Sequence, residues 1–159
     1  MYFGLSEEQE SIQDFVKKFL ADNSTVDEIR KIANGEGEEL EKNIFEGILS
    51  LGINTLLIPE KHNGLGAGLL HAVAVAQALG SGVGPIPFVG SYVMAPIAIN
   101  LGGNEEQKNN YLPKIANNEI RFGVGMTEFI GAREDAGIEF SKNKFCLLYT
   151  SDAADELSS

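Results

Sequence analysis

The residues whose types and spacing suit chemistry begin near position 120. Ile120, Phe122, Val124 and Met126 alternate with Arg121, Gly123, Gly125 and Thr127, the period of two that a strand requires. The second face is nearly bare, with two glycines followed by a small hydroxyl residue. Glycine weakens a strand interior, so a pair of them signals close approach by something flat or large. A bulge or a neighbouring helix satisfies that pattern, and spacing alone favours this use. A flavin ring also satisfies it, with backbone groups and the Thr127 hydroxyl bonding the ring's polar edge.

Other reactive side chains are less suggestive. Asn34–Glu39 (NGEGEE) holds three carboxylates with no aromatic or histidine beside them, which reads as a solvated loop. His71 has no second His, Cys or acid at ligand spacing, so no metal site is expected. His62 lies among polar residues and is expected to be exposed. Gly64, Gly66 and Gly68 superficially suggest a phosphate cradle. Such a cradle needs a strand before it and a helix after it, with a Lys or a ribose-binding acid in place. The helix that follows here is apolar and alanine-rich, so the loop reads as a tight structural turn.

The elements that must position these groups are helical. Ser6 and Gln9 have capping-box spacing, and Ile12, Phe15, Val16, Phe19 and Leu20 form an apolar stripe expected in the core. A short helix is predicted over Val26–Ala33, with Ile29 and Ile32 inward. Another covers Leu40–Leu51 and buries Ile44, Phe45, Ile48 and Leu49, with Gly52 at the C′ position. Ile53–Ile58 runs apolar to Pro59, which favours extended backbone just before it. Leu69–Leu79 is small and apolar, a helix expected to be buried on most sides. Gly80–Pro85 (GSGVGP) breaks it, and Pro87 suits the first position of a helix over Phe88–Leu101, kinked at Pro96. Asn104 caps the last helix, which Pro113 should bend or break, and Asn117-Asn118 is a turn pair tolerant of left-handed backbone. The pattern is mostly α: an up-and-down bundle of about six helices followed by the start of a β domain.

Bulk properties narrow the partners. The 159 residues carry a formal net charge of −11, which disfavours nucleic acid and anionic membrane surfaces. No apolar run reaches the roughly 18 residues of a membrane span, and no secretory signal pattern opens the chain. A cytoplasmic location is the expectation.

Three stretches together resemble the acyl-CoA dehydrogenase family. FGLSEEQESIQDFVKKFLADN at Phe3–Asn23 is similar to the family's opening helix. LLIPEKHNGLGAG at Leu56–Gly68 resembles its P-E-x-x-G-G-x-G loop, with Asn63 at the first glycine. GGNEEQKNNYLPKIANNE followed by FGVGMTE resembles the hand-over from its N-terminal helical domain to its middle β domain. GPIPFVGS at Gly84–Ser91 resembles a divergent bacterial branch that includes steroid side-chain enzymes.

The resemblance implies an N-terminal helical domain over residues 1–118 and a truncated start of the β domain over 119–145. It implies α,β-dehydrogenation of an acyl-CoA thioester, in which a carboxylate removes the α-proton while the β-hydrogen leaves as hydride to FAD. The family's base is a glutamate in a C-terminal helical domain, so no catalytic residue is assigned here and residues 1–159 alone are expected to be inactive. Val124, Met126 and Thr127 match the strand-end positions that touch the flavin. The start of the fifth helix lines the acyl cavity, which makes Phe88, Val89 and Tyr92 candidate wall residues. An electron-transfer acceptor and an oligomeric state, homomeric or heteromeric, are also implied. After Glu128 the family pattern Pro-x-x-Gly-Ser-Asp gives way to Phe129–Asp135 (FIGARED), where Arg133 offers a phosphate a charge instead. That departure keeps two alternatives open: a flavin-less structural partner subunit of a heteromeric dehydrogenase, and a free-standing helical interaction module.

Residues 146–159 break with what precedes them. CLLYTSDAADE matches one reading frame of the transposon-end adapter used in short-read DNA libraries. The expectation is a natural chain to about Phe145 followed by a non-native tail. The single cysteine, Cys146, then says nothing of redox compartment. Setting aside the tail's Asp152, Asp155 and Glu156 brings the net charge from −11 to −8.

Overall fold

A computed structural model describes residues 4–124 of the chain. Among them are six α-helices: α1 (Glu7–Asn23), α2 (Val26–Ala33), α3 (Glu38–Ser50), α4 (Leu69–Ser81), α5 (Ala95–Gly102) and α6 (Glu105–Ala116). Three of them begin with reciprocal caps. Ser6 pairs with Gln9, Thr25 with Glu28 and Asn104 with Gln107, each pair satisfying two orphan backbone donors. Acidic residues fill the first turns of α1, α2, α3 and α6, where the helix dipole favours negative charge. That preference draws Glu38 and Glu39 into α3, which starts two residues before the sequence pattern suggests.

The helix ends share a second device. Gly35 after α2, Val83 after α4 and Asn118 after α6 all adopt positive φ, of 77°, 50° and 56°. In each case the next residue's N–H reaches back five residues: Glu36 to Lys31, Gly84 to Leu79 and Glu119 to Lys114. This is the Schellman closure of a helix. Asn118 fulfils the expectation for the Asn117-Asn118 pair, and Gly52 with φ 79° fulfils that for the end of α3.

The helices pack around Val16 and Leu20 of α1, Ile44 and Ile48 of α3, Val75 and Ala78 of α4, and Leu112 and Ile115 of α6. α1 and α4 run parallel along their whole length. Glu8 stands beside His71, Gln13 donates to the Ala74 carbonyl and to Gln77 Oε1, and Leu20 lies against Gly82.

Five expectations are corrected. Phe15 is 62% exposed although Val16 and Leu20 beside it are buried, because the stripe on α1 is wider than the faces that α3 and α4 present to it. Leu69, Leu70 and Val73 leave one side of α4 uncovered. Pro113 does not end α6, which continues to Ala116. The bond Pro113 cannot donate would have gone to the carbonyl of exposed Asn109, where water can serve. Ile53–Thr55 forms a 3₁₀ turn ahead of Pro59 rather than extended chain. Finally, His62 is only 3% exposed.

The burial of His62 follows from the shape of its loop. A 3₁₀ turn over Glu60–His62 is closed by Asn63 at φ 66°, as the match of Asn63 to a glycine position anticipates. The chain then folds back on itself. Leu65 N–H bonds to Thr55, Gly66 to Ile58 and Ala67 to Leu56 through backbone carbonyls, enclosing His62 beside α6. The loop's glycines have distinct jobs. A Cβ on Gly64 would overlap the Ile58 carbonyl, Gly66 holds φ 60°, and Gly68 has open space around it.

That contrast generates a graded prediction. Gly64→Ala should cost about 3 kcal/mol or more, because the obstacle is backbone and cannot move aside. Gly66→Ala should cost about 1 kcal/mol for a left-handed alanine, and Gly68→Ala, with open space but a poorer N-cap for α4, only about 0.5 kcal/mol. Urea midpoints of the three variants check the order.

Candidate functional site

An apolar concavity lies where α4 ends and the next helix begins. It has a volume of about 450 Å³ and is lined by Ala76, Leu79, Gly80, Val83, Gly84, Ile86, Pro87, Phe88, Val89 and Gly90. No charged or hydrogen-bonding side chain is among them, so the cavity suits a hydrocarbon group. Gly80 and Gly90 have nothing within 4 Å of where a Cβ would stand, and this keeps the space open. Across Pro87 lies a second hollow of about 250 Å³, lined by Glu38, Glu41, Lys42, Phe45, Pro85, Pro87 and Arg121. There the Arg121 guanidinium stacks 4.8 Å from the centre of the Phe45 ring. Pro87 is thus a partition with an apolar chamber on one side and a charged one on the other.

The wall of the apolar chamber continues into an unusual helix. Val89–Met94 is π-helical before α5 begins at Ala95. Pro96 supplies no N–H to the carbonyl of Tyr92 four residues back, and the ladder ahead of it widens. The widened turn aims two polar side chains at the segment after α6. Tyr92 donates its O–H to Asn118 Oδ1 at 3.0 Å, and Ser91 donates to the Phe122 carbonyl at 3.0 Å. Buried Asn54 donates to the Ala116 carbonyl at 2.6 Å, and Phe122 meets Tyr111 edge to face at 5.5 Å. The chain from Ala116 to Phe122 is therefore fixed to the bundle at four points, and this places Val124.

The sequence-assigned positions fall as follows. Phe88 and Val89 both line the apolar chamber, Phe88 buried and Val89 53% exposed. Tyr92 is 1% exposed and faces Asn118, behind the chamber wall. Val124 is 38% exposed, and neighbouring Gly123 has open space in place of a Cβ. Residues 120–124 are irregular rather than strand. Met126, Thr127, Phe129–Asp135 and Cys146 lie outside the described residues. Sequence reasoning missed the chamber's glycines and Val83, since the break GSGVGP carries no sign of which residue turns inward. Among the described residues no group of three His, Cys, Asp or Glu side chains is placed to hold a metal, and no helix is long and apolar enough to cross a membrane.

Burial raises the Tyr92 pKa above its ordinary 10.0, with Arg121 opposing in part. A raised folded value means that the fold prefers the protonated phenol. The stability it contributes is complete below pH 10 and is lost as pH climbs from there through the folded value. Tyr92→Phe should therefore lower stability by about 1 kcal/mol at neutral pH, for the lost bond to Asn118. It should also show a shallower alkaline decline than the parent. Urea melts of both proteins between neutral and strongly alkaline pH check this.

Comparison with known proteins adds the final element. Residues 6–119 match the family described as "Acyl-CoA dehydrogenase, N-terminal domain". Mitochondrial isovaleryl-CoA dehydrogenase of Pongo abelii is 30% identical over 129 residues, which is 79% of this chain and 30% of that protein. (2S)-methylsuccinyl-CoA dehydrogenase of Cereibacter sphaeroides is 32% identical over 121 residues, covering 74% of this chain and 21% of its own length. Acyl-CoA dehydrogenase FadE26 of Mycobacterium tuberculosis is 24% identical over 132 residues, 80% of this chain and 33% of that one. No solved structure gives a significant match. The chain spans a third or less of the length of these curated relatives. A bundle of six helices matched from its first cap to the end of its last helix, with the family's glycine loop folded back inside it, is decisive at the level of family: the chain belongs to the acyl-CoA dehydrogenases, of which it carries the N-terminal helical domain.

Proposed function

We propose that the chain is the N-terminal part of an FAD-dependent enzyme that introduces an α,β double bond into an acyl-CoA thioester, with an electron-transfer protein as the acceptor and an oligomer as the working form. The observation that carries this is the 450 Å³ apolar chamber between the end of α4 and the π-helical turn that leads into α5, within a domain that belongs to the family. Phe88 and Val89 serve as walls for the acyl group. Tyr92 acts from behind, holding the Asn118–Phe122 segment that leads to the flavin-contacting residues. Relatives named for isovaleryl-CoA and short or branched acyl-CoA substrates support a short or branched acyl group over a long one.

The flavin assignment rests on Val124, Met126 and Thr127. Exposed Val124 and the open backbone at Gly123 suit the approach of a flat ring. FAD would supply the acceptance of hydride from the β-carbon. The chain's own part is to shape the chamber, exclude water from the acyl group and present the segment that carries these residues. Proton removal at the α-carbon belongs to a carboxylate beyond residues 1–159, so these residues alone are catalytically incompetent.

One observation favours a second reading. Where the family runs Pro-x-x-Gly-Ser-Asp, this chain reads Phe129–Asp135, in which the phosphate-binding serine is either replaced by Arg133 or shifted. A partner subunit that shapes the substrate cavity without holding flavin would tolerate that change.

The complete protein carrying this chain, purified from its source, distinguishes the two. A visible flavin absorbance band that bleaches on adding isovaleryl-CoA is the expected result. A colourless protein that co-purifies with a coloured, flavin-bearing partner would establish the second reading instead.

A further inference from the structure

The chamber's rim contains a residue in the wrong conformation for its type. Val83 has φ 50°, a left-handed backbone that a β-branched side chain resists. It stands at the C′ position of the Schellman closure of α4, where glycine is the usual occupant. The equivalent positions after α2 and α6 hold Gly35 and Asn118, the two residue types that accept this geometry most readily. Glycines flank Val83 on both sides, yet neither takes the strained position. Each is committed elsewhere: a Cβ on Gly82 would meet Leu20, and one on Gly84 would meet Leu79 and Leu20. A valine is thus held left-handed although nothing in the packing of α4 requires a side chain there.

The strain does not serve the core, because Val83 is 61% exposed. Its isopropyl group stands at the mouth of the apolar chamber, where 53%-exposed Val89 is also part of the lining. A backbone held in a sparsely populated region beside a cavity is the kind of feature that accompanies ligand contact. We infer that Val83 is a specificity-determining residue that closes over the hydrocarbon part of the bound acyl thioester. The left-handed turn is what brings its side chain to the chamber mouth. This rests on the acyl-CoA reading above and names a residue that the reading does not need.

The test uses the complete protein and two variants, with octanoyl-CoA and acetyl-CoA as probes in titration calorimetry. Val83→Gly relieves the strain and removes the apolar group. It should raise Tm by about 2 °C and weaken octanoyl-CoA binding about fivefold or more. Val83→Thr keeps the β-branch and the strain but replaces a methyl by a hydroxyl. It should weaken octanoyl-CoA by about fivefold with Tm unchanged. Acetyl-CoA, which offers almost no hydrocarbon to cover, should bind all three proteins alike.

Equal octanoyl-CoA affinity across the three proteins overturns the inference, and if the parent still dehydrogenates that thioester the enzyme reading survives. Selective loss of octanoyl-CoA binding in a protein that dehydrogenates neither octanoyl-CoA nor isovaleryl-CoA overturns the enzyme reading and leaves the role of Val83 standing. Failure of octanoyl-CoA to bind the parent overturns the inference, and bleaching of the flavin by isovaleryl-CoA in that same parent leaves the enzyme reading standing.

Discussion

The architecture depends on how closely Leu20 approaches the end of α4. Its side chain occupies the space that a Cβ on Gly82 would need and lies in contact distance of Gly84, where Leu79 fills the space instead, and it is itself 2% exposed. Because α1 and α4 run parallel, this contact sits at the C-terminal end of both helices, where their last carbonyls need closure. One packing requirement therefore fixes three things: the two glycines, the position at which the helix turns left-handed, and the direction in which the chain leaves toward Pro85 and Pro87. The apolar chamber is the space left by that exit. Filling Gly82 would press on Leu20 and push α1 away from α4, and filling Gly84 would press on Leu79 within α4.

Local signals in the sequence proved reliable where their cause is local. The box at Ser6 and Gln9, the cap at Asn104, the left-handed turns at Gly52 and Asn118, and the span Val26–Ala33 depend on residues within one turn of each other, so their chemistry is visible in the chain. Phe15 and His62 were not legible, for the converse reason. Phe15 belongs to a stripe indistinguishable from a core face until the widths of α3 and α4 are known. His62 is enclosed by hydrogen bonds from Leu65, Gly66 and Ala67 back to Thr55–Ile58, and no residue-type pattern announces a loop doubled over in that way. The histidine's Nε2 has no hydrogen-bond partner among the described residues, a cost that the enclosing loop must offset.

The site was half legible on the same principle. Phe88 and Val89 lie on the chamber wall because the break at Pro85–Pro87 dictates where a helix can restart. Tyr92 lies behind the wall because the π-turn adds a residue to the helix circumference ahead of Pro96 and rotates the following side chains. A regular helix would have set Val89 and Tyr92 nearly side by side at a separation of three residues. The widened turn instead hands Ser91 and Tyr92 to the Asn118–Phe122 segment. The same irregularity therefore shapes the chamber and anchors the chain that leaves the bundle.

One wall of the chamber thus carries a residue outside the ordinary backbone wells, Val83, and the other carries the π-turn. The left-handed valine costs about 1–3 kcal/mol, against a total domain stability of about 5–15 kcal/mol. A bundle with reciprocal caps on three helices can sustain that, since each cap contributes about 1 kcal/mol. The left-handed turn at the α4 exit closes beside Leu20, which lies against Gly82. The chamber is consequently a product of tertiary packing and not of any single segment. That is why its outline becomes visible only in the folded chain, although every residue lining it can be read in the sequence.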